Sequence, residues 1–200
     1  KEMENYHIAR ASRPVLNFIS DLSQWYVRRS RDRFKNDNLD KKMAISTLRQ
    51  VLFSLCKVIA PFIPFIAEAI YLELKDSTDP LSVHLTYFPE GGKVDSNLLD
   101  RMEKIRALIS SGLAARAESN LKVRQPLASA TLSGFEIIPA EEKLFIDELN
   151  VLRIDFSSGD FGIKLDTKLT PGLKAEGQFR DVVRAVQDAR KKAKCNYNDS

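Results

Sequence analysis

The chain has 200 residues, enough for one domain or two small ones. Apolar residues make up 44% and charged residues 29%, which is typical of a globular protein with a hydrophobic core. The net charge of +4 is small, so a polyanionic partner must be met by a local basic patch. The 2 cysteines, Cys56 and Cys195, and the 2 histidines exclude a disulfide framework, a cysteine-rich zinc site and a histidine metal site. No apolar run approaches the roughly 20 residues that span a bilayer. We expect the protein to lie in the cytoplasm.

The first 75 residues are predicted to be helical. Apolar side chains recur at intervals of three and four over residues 15–25 and again over residues 48–59, which is the spacing of one helix face. Pro61 and Pro64 interrupt the apolar run that follows. Because each proline removes a backbone donor, we expect a kink or a break into two helices there, within a helical bundle.

Residues 76–92 form a connector rich in proline and glycine, which we take as the boundary between a helical domain over 1–90 and a second domain over 93–200. The second domain alternates helical and extended patterns, which predicts α+β structure with a mainly antiparallel sheet. Its last two strands are expected to pair through the turn at residues 157–160. The predicted elements are helices over 98–119, 141–149 and 176–194, and strands over 126–132, 151–156 and 161–165.

The last predicted helix combines an apolar and a basic face. Phe179, Val182, Val183 and Val186 fall at helical spacing and are expected to point inward. The C-terminal end of this helix is rich in Arg and Lys, and cations there complement the helix dipole. As a contact for a polyanion, this end is therefore a weak signal.

The densest basic run is residues 25–35, the basic segment, where four arginines and a lysine lie beside aromatic residues. If one helix continues through it, the face that carries Phe18, Leu22 and Trp25 continues into Arg29 and Arg33. A helix face that changes from apolar to basic is expected to extend beyond the core and line a groove. Arginine binds phosphate with a planar fork and stacks on bases, so the segment suits a single-stranded RNA loop. A solvated helix face, with Asp32 paired to its basic neighbours, is the more common explanation of such a run.

A second basic pair, Lys122 and Arg124, lies in what reads as an extended lead-in to the strand at residue 126. In an extended segment alternate side chains point the same way, so the two cations are candidates for a second phosphate contact. An edge strand protected by charge has the same pattern. Catalytic motifs are missing, since there is no Gly-rich phosphate loop and no Gly-x-Ser-x-Gly elbow.

Residues 21–34, Asp-Leu-Ser-Gln-Trp-Tyr-Val-Arg-Arg-Ser-Arg-Asp-Arg-Phe, resemble the signature helix of the anticodon-binding domain of isoleucyl-tRNA synthetases. Residues 60–68, Ala-Pro-Phe-Ile-Pro-Phe-Ile-Ala-Glu, are similar to a proline-kinked helix shared by the isoleucyl, valyl and leucyl enzymes of class I. Lys35 departs from the pattern, because the family commonly has an aromatic residue there. Further resemblance to the isoleucyl enzymes lies at residues 82–89, 122–127, 148–151 and 169–192.

This resemblance implies a C-terminal fragment, an anticodon-binding domain plus a junction domain, of an enzyme that joins isoleucine to its tRNA with ATP and Mg²⁺. The ATP signatures and the editing domain of that enzyme are absent, so we expect a non-catalytic chain with no cofactor of its own. Because the chain has only two cysteines, it resembles the branch of the family without a C-terminal zinc module. The lack of an initiator Met agrees with an excised piece.

The expected partners are the anticodon stem-loop of isoleucine tRNA and the missing catalytic domain of the same polypeptide, with no membrane. Two alternatives stay open: the equivalent region of a valyl- or leucyl-tRNA synthetase, and a basic helical module that binds an acidic protein. Binding without preference among tRNAs would favour the second. The residues expected to contact RNA are Trp25, Arg28, Arg29, Arg31, Arg33, Lys35, Lys122 and Arg124.

Overall fold

The computed structural model describes residues 2–195 and divides the chain into two compact units, Lys1–Lys93 and Val94–Ser200. The first unit is helical and the second combines helices with a small sheet, which confirms the predicted α+β class. No helix in the described part of the chain is long and apolar enough to cross a membrane.

The described residues of the first unit form four α-helices, which confirms that this part of the chain is helical. At Pro61 and Pro64 the helix is broken into two helices rather than kinked, since α3 ends at Ile59 and α4 begins at Pro64. At the first position of a helix the missing N–H of proline removes no hydrogen bond of the helix. The helices are α1 Ile8–Asp21, α2 Arg31–Lys35, α3 Leu39–Ile59 and α4 Pro64–Leu74, with a π-helical segment Leu22–Val27 and a 3₁₀ turn Val83–Leu85.

The core of this unit lies where α3, α4 and the 3₁₀ turn meet. Tyr71 is fully buried, stacks on Phe53 with 5.2 Å between ring centroids, and donates a hydrogen bond of 3.0 Å from its hydroxyl to the Pro80 carbonyl. Cys56 is buried in the same cluster, which confirms its prediction as a core residue. The core therefore fixes the end of α3 and leaves α1 and α2 at its margin.

The basic segment is not one continuous α-helix. The π-helical segment Leu22–Val27 follows α1, and α2 begins only after Ser30, which is buried in a turn. A π-helix closes i→i+5 hydrogen bonds and so rotates everything that follows it. The predicted line of Phe18, Leu22 and Trp25 into Arg29 and Arg33 is therefore interrupted.

The second unit is a three-stranded sheet with helices packed against it. β1 Leu127–Ser133 is central, with Leu127 and Leu132 fully buried. β2 runs parallel to β1, and β3 runs antiparallel to β1 on its other side, giving the order β2-β1-β3. The elements of this unit are α5 Ser96–Glu118, β1, α6 Pro139–Leu149, β2 Val151–Ser157, β3 Gly162–Leu165 and α7 Pro171–Lys192.

Two details of the predicted sheet are corrected. The sheet is mixed rather than mainly antiparallel, because α6 carries the chain back across the sheet and β2 joins β1 in parallel. β3 does not pair with β2 as predicted; it pairs antiparallel with β1, on the side of β1 that lies away from β2. The turn at residues 157–160 instead passes the end of β1, where the Ser133 hydroxyl donates a 2.6 Å hydrogen bond to the Asp160 carbonyl.

The predicted inward face of α7 is also corrected. Leu173 and Gly177 are the buried residues of this helix. Beyond Gly177, α7 contacts the described residues of its unit through polar side chains such as Arg180 and Asp181, and its apolar stripe is not buried. The stripe residues Phe179, Val182, Val183 and Val186 are 42–67% exposed.

Candidate RNA-binding site

The basic segment is attached to α3 by two side chains. The hydroxyl of Tyr26 donates a 3.0 Å hydrogen bond to the carbonyl of Ala44, a fully buried residue of α3. Arg33 makes a bidentate pair with Asp40, with Nε–Oδ2 and Nη2–Oδ1 distances of 2.9 and 2.7 Å. This pair links α2 to the start of α3, and the guanidinium of Arg33 lowers the pKa of the Asp40 carboxyl.

Two other cations of the segment, Arg28 and Lys35, contact neighbours along the chain. Lys35 pairs with Asp32 at 2.8 Å and lowers the pKa of that carboxyl, as expected for a solvated helix face. Arg28 donates from Nε to the Gln24 carbonyl at 2.7 Å. The six predicted residues of this segment lie within residues 25–35 and differ in their exposure. Arg28, Arg31 and Lys35 are exposed there, while Trp25, Arg29 and Arg33 are half-buried.

The second predicted pair lies on a turn, not on an extended strand. The Gln125 N–H donates to the Lys122 carbonyl at 3.0 Å and closes residues 122–125 into a tight loop, the 122–125 loop. Lys122 and Arg124 nevertheless point the same way, because both bind the carboxylate of Asp181 on α7. The Lys122 Nζ–Oδ2 distance is 3.0 Å and the Arg124 Nε–Oδ1 distance is 2.9 Å. Lys122 first and Arg124 second lower the pKa of Asp181.

Arg116 of α5 positions this loop, and its role was not predicted. Its side chain is buried, with the residue only 1% exposed, and its guanidinium donates five hydrogen bonds to main-chain carbonyls. Two go to the 122–125 loop, from Nη1 to Lys122 at 3.1 Å and to Gln125 at 2.9 Å. Three go to the end of α6, to the carbonyls of Leu149 at 2.9 and 2.5 Å and of Asn150 at 3.0 Å.

The five bonds use all five guanidinium N–H groups, so Arg116 is fully satisfied without a carboxylate. Burial lowers its pKa, but a guanidinium starts from so high a value that it stays charged. A sequence signal did exist, since Arg116 continues the inward face of α5 after Ile105, Ile109 and Gly112. A charged residue on an apolar face predicts a buried hydrogen-bonding role.

Two further contacts hold the loop. Asn150, in the left-handed conformation at the end of α6, donates from Nδ2 to the Val123 carbonyl at 2.9 Å. Gln125 donates to the Leu173 carbonyl at 2.6 Å and lies against Gly177, where an added Cβ would be 2.1 Å from its Oε1. Glycine at position 177 therefore makes room for the loop.

The basic end of α7 is a less organised feature. Arg180 donates to the Asn150 side chain at 2.8 Å and to Glu176 at 2.5 Å, so it serves the local packing. Arg184 pairs with Asp188 at 3.5 Å on the exposed face. Residues 2–195 contain no group of three or more His, Cys, Asp or Glu that could hold a metal ion.

Comparison with known proteins defines the class. A family model described as the anticodon-binding domain of tRNA ligase matches residues 1–132. The chain belongs to this family. The match extends past the first compact unit and ends within β1.

Three curated relatives carry the name isoleucine–tRNA ligase, which confirms the resemblance seen in the sequence. The protein of Chlamydia pneumoniae is 44% identical over 164 residues, 78% of this chain and 16% of the relative. That of Protochlamydia amoebophila is 39% identical over 187 residues, covering 89% and 17%. The protein of Chlamydia caviae is 37% identical over an alignment of 201 positions, which covers 94% of this chain and 19% of the relative. The chain thus spans less than a fifth of the length of these relatives.

Proposed function

We propose that this chain binds the anticodon region of an isoleucine tRNA. The match to the anticodon-binding domain of tRNA ligases over residues 1–132 carries the proposal. The relatives named isoleucine–tRNA ligase, at 37–44% identity, supply the choice of tRNA. The basic segment lies inside the matched range and offers the cations that fix a protein on phosphate groups.

Within the basic segment, Arg28 and Arg31 are the first candidates for phosphate contact, because their side chains are exposed. Arg33 and Lys35 already hold carboxylates at 2.7–2.9 Å. RNA reaches these two cations only by sharing or displacing those carboxylates. A loop contact at Arg33 therefore costs more than one at Arg31.

Trp25 and Arg29 are half-buried, so each can pack against the helix and still present one edge to an unstacked base. Lys122 and Arg124 are proposed as contacts of the second unit. Phosphate contacts set register, whereas base contacts set the choice of sequence. Preference for one anticodon must come from the stacking and edge contacts.

For the whole polypeptide we propose the ligation of isoleucine to its tRNA with ATP and Mg²⁺ in the cytoplasm, carried out by a catalytic domain outside this chain. The described residues offer no cluster of three or more His, Cys, Asp or Glu as metal ligands. We propose that ATP and Mg²⁺ bind to that catalytic domain and not to residues 2–195.

The test is binding of this chain to the anticodon stem-loop of isoleucine tRNA and to the same stem with a scrambled loop, at two salt concentrations. We expect a preference for the correct loop that survives the higher salt, since base contacts depend less on salt than phosphate contacts do. Equal, salt-sensitive binding to both would reduce the chain to a basic surface. No binding to either would contradict the proposal.

A further inference from the structure

The pair formed by Lys122 and Arg124 is occupied by a carboxylate of the protein itself. Each oxygen of Asp181 accepts from one cation, at 3.0 and 2.9 Å. The side chains of Lys122, Arg124 and Asp181 are 66%, 37% and 40% exposed, so the two cations are accessible to solvent. An anion from solution can reach both cations.

The loop that carries these cations does not depend on Asp181 for its position. Arg116 holds the carbonyls of Lys122 and Gln125, and Asn150 holds the carbonyl of Val123. The Gln125 side chain is fixed to α7 through the Leu173 carbonyl. Loss of the carboxylate would therefore leave two cations in place without a partner.

A backbone phosphodiester of RNA matches the group that now occupies the site. It presents two unesterified oxygens that share one negative charge, as a carboxylate does, and charge-assisted hydrogen bonds to either group have similar geometry. Arginine and lysine are the usual phosphate ligands in protein–RNA contacts.

We propose that Lys122 and Arg124 form a binding site for one phosphodiester of the RNA and that Asp181 is its built-in competitor. The proposal rests on the proposed RNA binding and deepens it. Asp181 keeps the site closed to isolated anions, because they gain nothing beyond what the carboxylate already gives. An RNA held by further contacts displaces it.

The experiment compares Asp181→Asn with Asp188→Asn in binding to the isoleucine-tRNA anticodon stem-loop. Both changes remove one carboxylate from the same helix, and Asp188 pairs only with Arg184 among the contacts described above. We expect Asp181→Asn to tighten binding about 3- to 10-fold and Asp188→Asn less than about 2-fold, since the second change alters only the general field.

A second comparison separates the specific effect from net charge. In a K122Q/R124Q background the gain from Asp181→Asn should vanish, because there is no cation pair left to release. Thermal unfolding of each variant checks the fold, and Asp181→Ser serves as the alternative substitution if Asp181→Asn does not fold.

Three results would overturn the inference: equal effects of Asp181→Asn and Asp188→Asn, weaker binding by a folded Asp181→Asn protein, or a gain that persists without the two cations. In each of these cases the wild-type chain still binds RNA, and the proposed function stands. Absence of RNA binding by every variant would overturn both.

Discussion

The two basic clusters of this protein use the same residue types but are supported in different ways. In the basic segment, the half-buried Arg33 pairs with the exposed Asp40, five residues beyond the end of its short helix. In the 122–125 loop the cations are placed by Arg116, a buried residue that binds main-chain carbonyls of the loop and of the end of α6. We therefore expect the basic segment, which is held by near neighbours, to adapt to a ligand, and the 122–125 loop, which is held by a buried side chain, to be preorganised.

The largest effect is expected from Arg116→Met. Four carbonyls lose the guanidinium as a donor, and only those of Lys122 and Asn150 have a second, main-chain donor among the described contacts. The free energy of unfolding should therefore fall by about 2–4 kcal/mol. Arg116→Lys should lose nearly as much, because one ammonium cannot reach all the carbonyls. The control Arg184→Met lies on the exposed face of α7 and should stay within about 0.5 kcal/mol. Urea unfolding measures all three, and a stable Arg116→Met protein would refute the preorganised loop.

Glu141→Gln tests the contrast between buried and exposed pairs. Glu141 is buried and accepts hydrogen bonds from Arg101 at 2.5 and 2.6 Å and from the Ile138 N–H at 3.0 Å. Neutralising it should lower the free energy of unfolding by about 1–2 kcal/mol. Arg101 lowers the pKa of Glu141. A lowered pKa stabilises the fold above the ordinary value of 4.5 and loses that contribution as the pH falls below it.

The difference in stability between wild type and Glu141→Gln should therefore be full near neutral pH and shrink below about pH 4.5. Asp40→Asn, which breaks the exposed pair with Arg33, should have a much smaller effect on unfolding at neutral pH. Denaturant titrations at two pH values measure both. Equal losses from the two variants would contradict the contrast between a buried and an exposed ion pair.

Arg28→Gln together with Arg31→Gln tests the adaptable cluster through RNA. We expect affinity for the anticodon stem-loop to fall about 5- to 10-fold, as for the loss of one or two phosphate contacts. The control removes two exposed lysines, Lys143 and Lys174, and so changes the net charge equally. Fluorescence anisotropy measures both, and equal losses would mean a diffuse basic surface.

The smallest effect is expected from Gly177→Ala. Its Cβ would collide with Gln125, which must give up its bond to Leu173, while alanine favours the helix by about 1 kcal/mol. The two terms nearly cancel, with a net loss of stability below about 1 kcal/mol. Gly172→Ala meets nothing within 4 Å and should be neutral or slightly stabilising. A Gly177→Ala protein more stable than Gly172→Ala would show that the loop does not need the close approach.

The helices of the first unit were predictable because their signals are local. Apolar spacing marks α1 and α3, and Pro64 marks the start of α4. The strands were predictable for the same reason, but their partners were not. Nothing in the residues of β3 distinguishes pairing with β1 from pairing with β2.

The support of the candidate site was less predictable than its cations. Lys122 and Arg124 stand out in the sequence, whereas Arg116 and Asp181 act on them from 6 and 57 residues away. α7 shows the same limit, since Phe179 has helical spacing but is 67% exposed. A pattern identifies an apolar or charged face, and the fold decides what covers it.

The most direct measurement is the salt dependence of stem-loop binding by the wild type, Arg28→Gln/Arg31→Gln, Lys122→Gln/Arg124→Gln and Lys143→Gln/Lys174→Gln. Each phosphate contact in a single strand contributes about 0.7 to the slope of log affinity against log salt. We predict that Arg28→Gln/Arg31→Gln and Lys122→Gln/Arg124→Gln each make this slope less steep by about 0.7–1.4. The lysine control should leave the slope unchanged. The same decrease in all three would contradict the assignment of RNA contacts to these two clusters.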